Sequence, residues 1–230
     1  MTSNIEILAH EPSPLGTLCL RRRELLSAPG TFVTEVTLNG AFLMSSFNTA
    51  SERALAKTAI SMHGGSELRV LVGGLGLGYT TREVLAFPEV ARLEVVEFLP
   101  QVIDWLEREL FPLAPELKRD PRFQVVRRDL YRSLAGAPAE THDLILIDVD
   151  HSPDDHLSDA NGWFYRDEGL RAARAHLAQD GVLGVWSYAE SSPFADALGR
   201  VFQEVRVEPV TFFNPLIDEE ATDWLFFARR

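Results

Sequence analysis

The apolar run 69–74 passes directly into Leu75-Gly76-Leu77-Gly78, and a helix-forming stretch, residues 80–87, follows. Gly74, Gly76 and Gly78 leave room at the mouth of a strand for backbone N–H groups and a helix N-terminus to approach a nucleoside closely. Glu97 closes the next strand, about twenty residues on, where a carboxylate accepts both ribose hydroxyl protons. A glycine turn alone is equally a packing device; joined to an acid at that spacing it points to nucleoside binding. Asp129 follows the strand 123–126, a place where a carboxylate either accepts from an adenine amino group or caps a surface helix. Asp148 ends the most apolar strand, 144–148, so its side chain emerges over the same crevice beside the glycine turn. A partly desolvated carboxylate there orients a cationic cofactor or serves as a general base.

The segment 148–156, Asp-Val-Asp-His-Ser-Pro-Asp-Asp-His, is dense in oxygen and imidazole donors. Asp150 and His151 are secondary candidates for proton transfer. A divalent metal is weighed against a polar loop above an active site; with no second ligand cluster elsewhere, no metal is expected. Tyr165, after Trp163 and Phe164, and Trp186, at the end of a later strand, are candidates for closing an acceptor pocket, whereas Trp105 and Trp224 are expected in the core.

These groups need a scaffold, and the pattern supplies one. Short alternating stretches at 5–9, 16–20, 32–38 and 41–44 are separated by turn residues, with Asn39-Gly40 a strong hairpin signal. A helix opening at Ser51-Glu52 follows, with Leu55, Ala59 and Met62 at helical spacing. Strands at 68–72, 93–97, 123–126, 144–148 and 182–187 then alternate with helices at 80–87, 100–110 and 169–177, which implies a parallel sheet covered on both faces. A helix at 193–202 and strands at 204–210 and 223–228 end the chain, the strands reading as an antiparallel hairpin. The expectation is an α/β protein of two parts: a β-hairpin region, residues 1–50, and a Rossmann-like domain, residues 51–230.

Composition narrows the partners. Lys plus Arg number 22 against 34 Asp plus Glu, a formal charge of -12, so the long-range field repels nucleic acid and anionic membranes. The run Arg21-Arg22-Arg23 reads as a solvated sheet edge. One cysteine excludes an internal disulfide. The N-terminal stretch lacks the basic and apolar regions of a signal peptide, and no window reaches the about 18 apolar residues of a membrane helix. A soluble, cytoplasmic protein is expected.

Taken in order, the N-terminal hairpins, the acidic helix start, GGLGLGYTTREVL, EVVEF, RRD and LILIDVD resemble the spermidine synthase superfamily over nearly the whole chain. The most specific element is the glycine loop followed by Arg82-Glu83-Val84. The resemblance implies a seven-stranded methyltransferase-type sheet, Glu97 on ribose, Asp129 near adenine, Asp148 at the reaction centre, and a homodimer built on the N-terminal sheet. It also exposes departures. The loop aspartate that holds the aminopropyl ammonium of decarboxylated S-adenosylmethionine in that family is matched by Leu77. The family's tyrosine in the first helix falls at Leu55, and the second aspartate of its D-S-x-D motif at His151.

A nucleoside half that is kept and a polyamine half that is altered favour S-adenosylmethionine over its decarboxylated form. Methyl transfer to a small-molecule or peptide acceptor is therefore the leading expectation. Three alternatives stand beside it: aminopropyl transfer to an altered acceptor, an NAD-dependent oxidoreductase, and a nucleoside-binding protein without turnover. The terminal hairpin argues against the oxidoreductase, which needs a second mononucleotide-binding half.

Overall fold

A computed structural model describes residues 4–214 and 218–230. The N-terminal strands β1 (Ile5–Ser13), β2 (Gly16–Glu24), β3 (Phe32–Leu38) and β4 (Ala41–Ser45) form an antiparallel sheet in sequence order. The turn between β3 and β4 places Asn39 at φ 52 and Gly40 at φ 83, the paired positive values that the dipeptide predicts. The arginine run differs from its reading as an edge. It lies on β2, an inner strand, where alternation sends Arg21 and Arg23 to one face; both grip the buried Glu35 of β3, with Nε–O distances of 3.0 and 2.8 Å.

Helix α1 (Ala50–His63) leads into β5 (Leu68–Gly73), α2 (Tyr79–Leu85), β6 (Val90–Glu97), α3 (Pro100–Glu107), α4 (Ala114–Arg119), β7 (Phe123–Arg127), α5 (Leu130–Ala135) and β8 (His142–Ile147). Then come α6 (Asp167–His176), β9 (Leu177–Ser187), α7 (Ser192–Val201), β10 (Glu204–Asn214) and β11 (Glu219–Arg229). The seven strands from β5 onward line up as β10-β11-β9-β8-β5-β6-β7, with β5 to β9 parallel and the terminal hairpin antiparallel, as the pattern implies. Two six-residue helices, α4 and α5, escape the periodicity because fewer than two turns do not repeat an apolar pattern. Strand β9 starts earlier than expected. Asp180 takes φ 61 within the strand, and the register against β8 shifts between Leu177 and Val182.

Alternation along the strands divides the core. Val70, Val72, Leu144 and Leu146 face one side, with α1 to α4 and the apolar face of the N-terminal sheet; Leu71, Ile145 and Ile147 face the other, with α5 to α7. Trp105 is fully buried, and Trp224 is half-buried against the second cluster. Connections from β5 run one way through β6 to β7 and then return to β8 on its other side, so the strand order reverses between β5 and β8. The crevice of an open sheet lies at the carboxyl ends of such a pair. Among the described residues, no helix is long and apolar enough to cross a membrane.

Candidate active site

The turn after β5 is shaped by close backbone contact. Gly74, Gly76 and Gly78 all have positive φ, at 88, 51 and 84°. A Cβ on Gly74 would stand 2.3 Å from the carbonyl oxygen of Asp148, so the ends of β5 and β8 approach each other only because that position is glycine. Gly78 is the N-cap of α2. Glu97, at the end of β6, is buried and braces the turn: its carboxylate accepts from the backbone N–H of Leu75 at 2.9 Å and of Leu99 at 2.7 Å. Burial pushes its pKa up, against the pull of those backbone donors.

Two cavities meet at this turn. One, of 190 Å³, has Gly74, Gly76, Glu97, Asp129 and Asp148 on its wall, closed by Leu43 and Met44 of the N-terminal sheet. The other, of 330 Å³, shares Gly74, Gly76 and Asp148 and extends past Gly78, Asp150, His151 and Trp186. Together they reach the about 300–1,000 Å³ usual for small-molecule sites. Asp148 stands at the junction, just beyond the last residue of β8. Thr80 donates to its Oδ2 at 2.8 Å, while desolvation raises its pKa to about 6.

The predicted residues thus gather, with two qualifications. Asp129 is the N-cap of α5 and accepts from the backbone N–H of Arg132 at 3.1 Å, which is its capping reading, and it also stands on the wall of the first cavity. Tyr165 reaches neither cavity wall; it is buried in the second core cluster with its hydroxyl 2.9 Å from Asp150 Oδ2. His151 lines the second cavity, its ring edge-on to Tyr188 at 6.5 Å between centroids. Among the described residues no three His, Cys, Asp or Glu side chains converge to hold a metal ion.

Two carboxylates that no motif announces join Asp148 around the second cavity: Glu52 from the first turn of α1 and Asp223 from β11. Burial raises the pKa of both, and the neighbouring charge of Asp148 helps push Glu52 to about 8. Ser51 links them. Its oxygen accepts from Trp186 Nε1 at 3.0 Å, its single proton lies on the 2.6 Å contact to Asp223 Oδ2, and Glu52 Oε2 stands 3.2 Å away. With that proton committed to Asp223, the Glu52 contact is a hydrogen bond when Glu52 is protonated and donates, as its raised pKa allows at neutral pH. The outcome is a cavity floor that is short of positive charge and partly relieved of its own repulsion by retained protons. In the sequence only the acidic start of α1 marks this group; the bond from Ser51 to Asp223 spans 172 positions of the chain, beyond any local signal.

Comparison with known proteins agrees with this architecture. Residues 49–197, well over half of the chain, match the Spermine/spermidine synthase domain family. Polyamine aminopropyltransferase 2 of Streptomyces coelicolor is 33% identical over 124 residues, 53% of this chain and 22% of that protein. Putrescine N-methyltransferase 2 of Nicotiana attenuata is 34% identical over 80 residues, 35% of this chain and 21% of that protein. The matches therefore span only about a fifth of each relative's own length. The crystal structure of spermidine synthase from Thermotoga maritima superposes over 97% of this chain and 72% of that one, with a TM-score of 0.73 at 19% identity. A spermidine synthase in complex with the transition-state analogue AdoDATO covers 97% and 73% at a TM-score of 0.76 and 21% identity. With its seven-stranded sheet, its N-terminal antiparallel sheet and this match, the chain belongs to the spermine/spermidine synthase domain family.

Proposed function

We propose that this chain transfers the methyl group of S-adenosylmethionine to a small cationic acceptor, a free amine or the amine of a peptide, held in the second cavity. The observation that carries the reading is the position of Asp148, at the junction between a cavity edged by Glu97 and Asp129 and one floored by Glu52 and Asp223. The donor fits the residues present: a glycine turn too tight for a Cβ at Gly74, a buried acid at Glu97, and a polar cap at Asp129 facing the same space. When bound, the donor supplies a methyl group already activated by its sulfonium.

The chain's own work is alignment and proton removal. Asp223, joined by Glu52 once the approaching cation drives its proton to solvent, holds an incoming ammonium, and Asp148 takes the proton that frees the nitrogen lone pair. Trp186 and Tyr188 stand on the wall of that cavity. Leu77, 4% exposed and on the wall of the second cavity, stands where an aminopropyltransferase of this family carries its loop aspartate. An ammonium left against that leucine would cost on the order of several kcal/mol. The carboxylated donor needs no acid there.

A second reading, aminopropyl transfer, is favoured by the relatives named as aminopropyltransferases and by the three carboxylates, which suit a polycation. Product analysis separates the two. With S-adenosylmethionine and a panel of amines the expected product is S-adenosylhomocysteine with a methylated amine. Methylthioadenosine formed from the decarboxylated donor, with no S-adenosylhomocysteine from the carboxylated one, would replace methyl transfer by aminopropyl transfer.

A further inference from the structure

Asp150 lines the second cavity with Asp148, but its carboxylate is held differently. It is 2% exposed, and its carboxylate is surrounded by donors from three separate segments. Tyr131 of α5 donates to Oδ2 at 2.7 Å, Tyr165 donates to Oδ2 at 2.9 Å, the backbone N–H of Leu157 donates to Oδ1 at 2.7 Å, and Asn161 Nδ2 donates to Oδ1 at 2.9 Å. Four donors fill the four lone-pair directions of a carboxylate, which leaves none for a reacting proton. The two tyrosine hydroxyls lie 2.9 Å apart, and burial beside Asp150 drives the pKa of both well above the ordinary tyrosine range, so their protons stay on those bonds.

Three of these partners, Tyr131, Leu157 and Asn161, also stand on the wall of the 190 Å³ cavity. The segment carrying Leu157 and Asn161 holds a 3-10 turn, Asp159–Asn161, and one isolated bridge, Ser152 to Asp155, so no strand or helix of the main sheet fixes the path of residues 156–162. Further contacts brace it locally: His156 stacks on Tyr165 at 5.1 Å between ring centroids, and its Nε2 lies 2.7 Å from the carbonyl oxygen of Pro153. The hydrogen bonds that tie the segment to α5 and to the Tyr165 hydroxyl run through Asp150, while the His156 ring adds a separate contact to Tyr165.

We propose that Asp150 is a positioning residue: its buried carboxylate latches the loop 151–162 to α5 and so forms one wall of the nucleoside-facing cavity. The inference rests on the nucleoside reading of that cavity. It assigns Asp150 to donor affinity, away from proton transfer, and Tyr165 to the same latch, away from acceptor contact.

The test uses Asp150→Asn and Tyr165→Phe in the full chain, with S-adenosylhomocysteine as the calorimetric probe and amide hydrogen exchange as the second readout. The asparagine keeps the shape but loses the charge that strengthens all four bonds. Its dissociation constant is expected to rise about ten- to a hundredfold, with Tyr165→Phe between it and wild type. Turnover at saturating donor should change far less than donor KM. The Leu157 amide, whose acceptor is Asp150 Oδ1, should exchange faster in Asp150→Asn while the amides of β5 and β8 keep their protection. Wild-type probe affinity in Asp150→Asn, or unchanged protection at Leu157, would overturn the latch. A wild-type protein that binds no probe, with Leu157 nevertheless deprotected in the variant, would uphold the latch and sink the nucleoside reading beneath it.

Discussion

Glu97→Ala is expected to lose nucleoside binding by at least about a hundredfold and to destabilise the folded chain at the same time. Both effects have one origin. The carboxylate satisfies the backbone N–H groups of Leu75 and Leu99, one inside the glycine turn and one at the entry to α3. Truncation strands both in a buried setting, at about 1–3 kcal/mol each, and frees the turn whose shape the first cavity depends on. A hundredfold loss corresponds to about 2.7 kcal/mol, within reach of losing the ribose contact alone. Glu97→Gln separates the roles: it keeps one oxygen for the turn but sets an NH2 group against the other N–H, so it should fall between alanine and wild type in melting temperature. Calorimetric titration and a thermal melt on the three proteins check the prediction. An alanine variant that binds the nucleoside normally would remove Glu97 from the ribose.

Asp148→Asn is expected to leave donor binding largely intact and to lower turnover by about a hundred- to ten-thousandfold, the range for a positioned general base. The side chains are nearly isosteric, and Thr80 can donate to the amide oxygen as it does to Oδ2. What disappears is the capacity to accept a proton. The raised pKa of about 6 gives the sign of the pH dependence: the active form is the carboxylate, so wild-type turnover should rise as pH increases through about 6. The asparagine variant should lack that limb. A cation bound by Glu52 and Asp223 would favour the charged form of Asp148 and move the limb to lower pH. Steady-state rates from pH 5 to 8, on both proteins at saturating donor, distinguish a base from an orienting group. Equal loss of binding and turnover in Asp148→Asn would make Asp148 a binding residue.

The parts of this molecule that were legible in its sequence are those encoded locally. The glycine turn, Glu97 and Asp148 each sit at the end of an apolar strand, and the positive φ of Gly74, Gly76 and Gly78 is what a tight strand-to-helix turn requires. The βαβ alternation and the hairpin at Asn39-Gly40 were equally local. The acidic floor was not. Glu52 and Asp223 come from opposite ends of the chain and meet only because α1 packs against β9 and β11. Asp150 lies two residues from Asp148, and Tyr165 ends an aromatic run after Asn161-Gly162, but neither placement encodes the hydrogen bonds that join both side chains to Tyr131. Asp148 lines both cavities, whereas Asp150 lines only the second and directs its carboxylate to Tyr131. The arginine run reads as an edge yet lies inside the sheet, because the position of β2 depends on its pairing with β1 and β3, which the run itself does not encode.

The most direct test of the account is calorimetric titration of the full chain with S-adenosylmethionine, decarboxylated S-adenosylmethionine, methylthioadenosine and NAD under identical conditions, repeated on Leu77→Asp. The account predicts that wild type binds the carboxylated donor more tightly than the decarboxylated one, with no NAD binding. An acid at position 77 should reverse that order by repelling the carboxylate and pairing with the aminopropyl ammonium. Preference of the wild-type protein for the decarboxylated donor, or an unchanged order in Leu77→Asp, would contradict it.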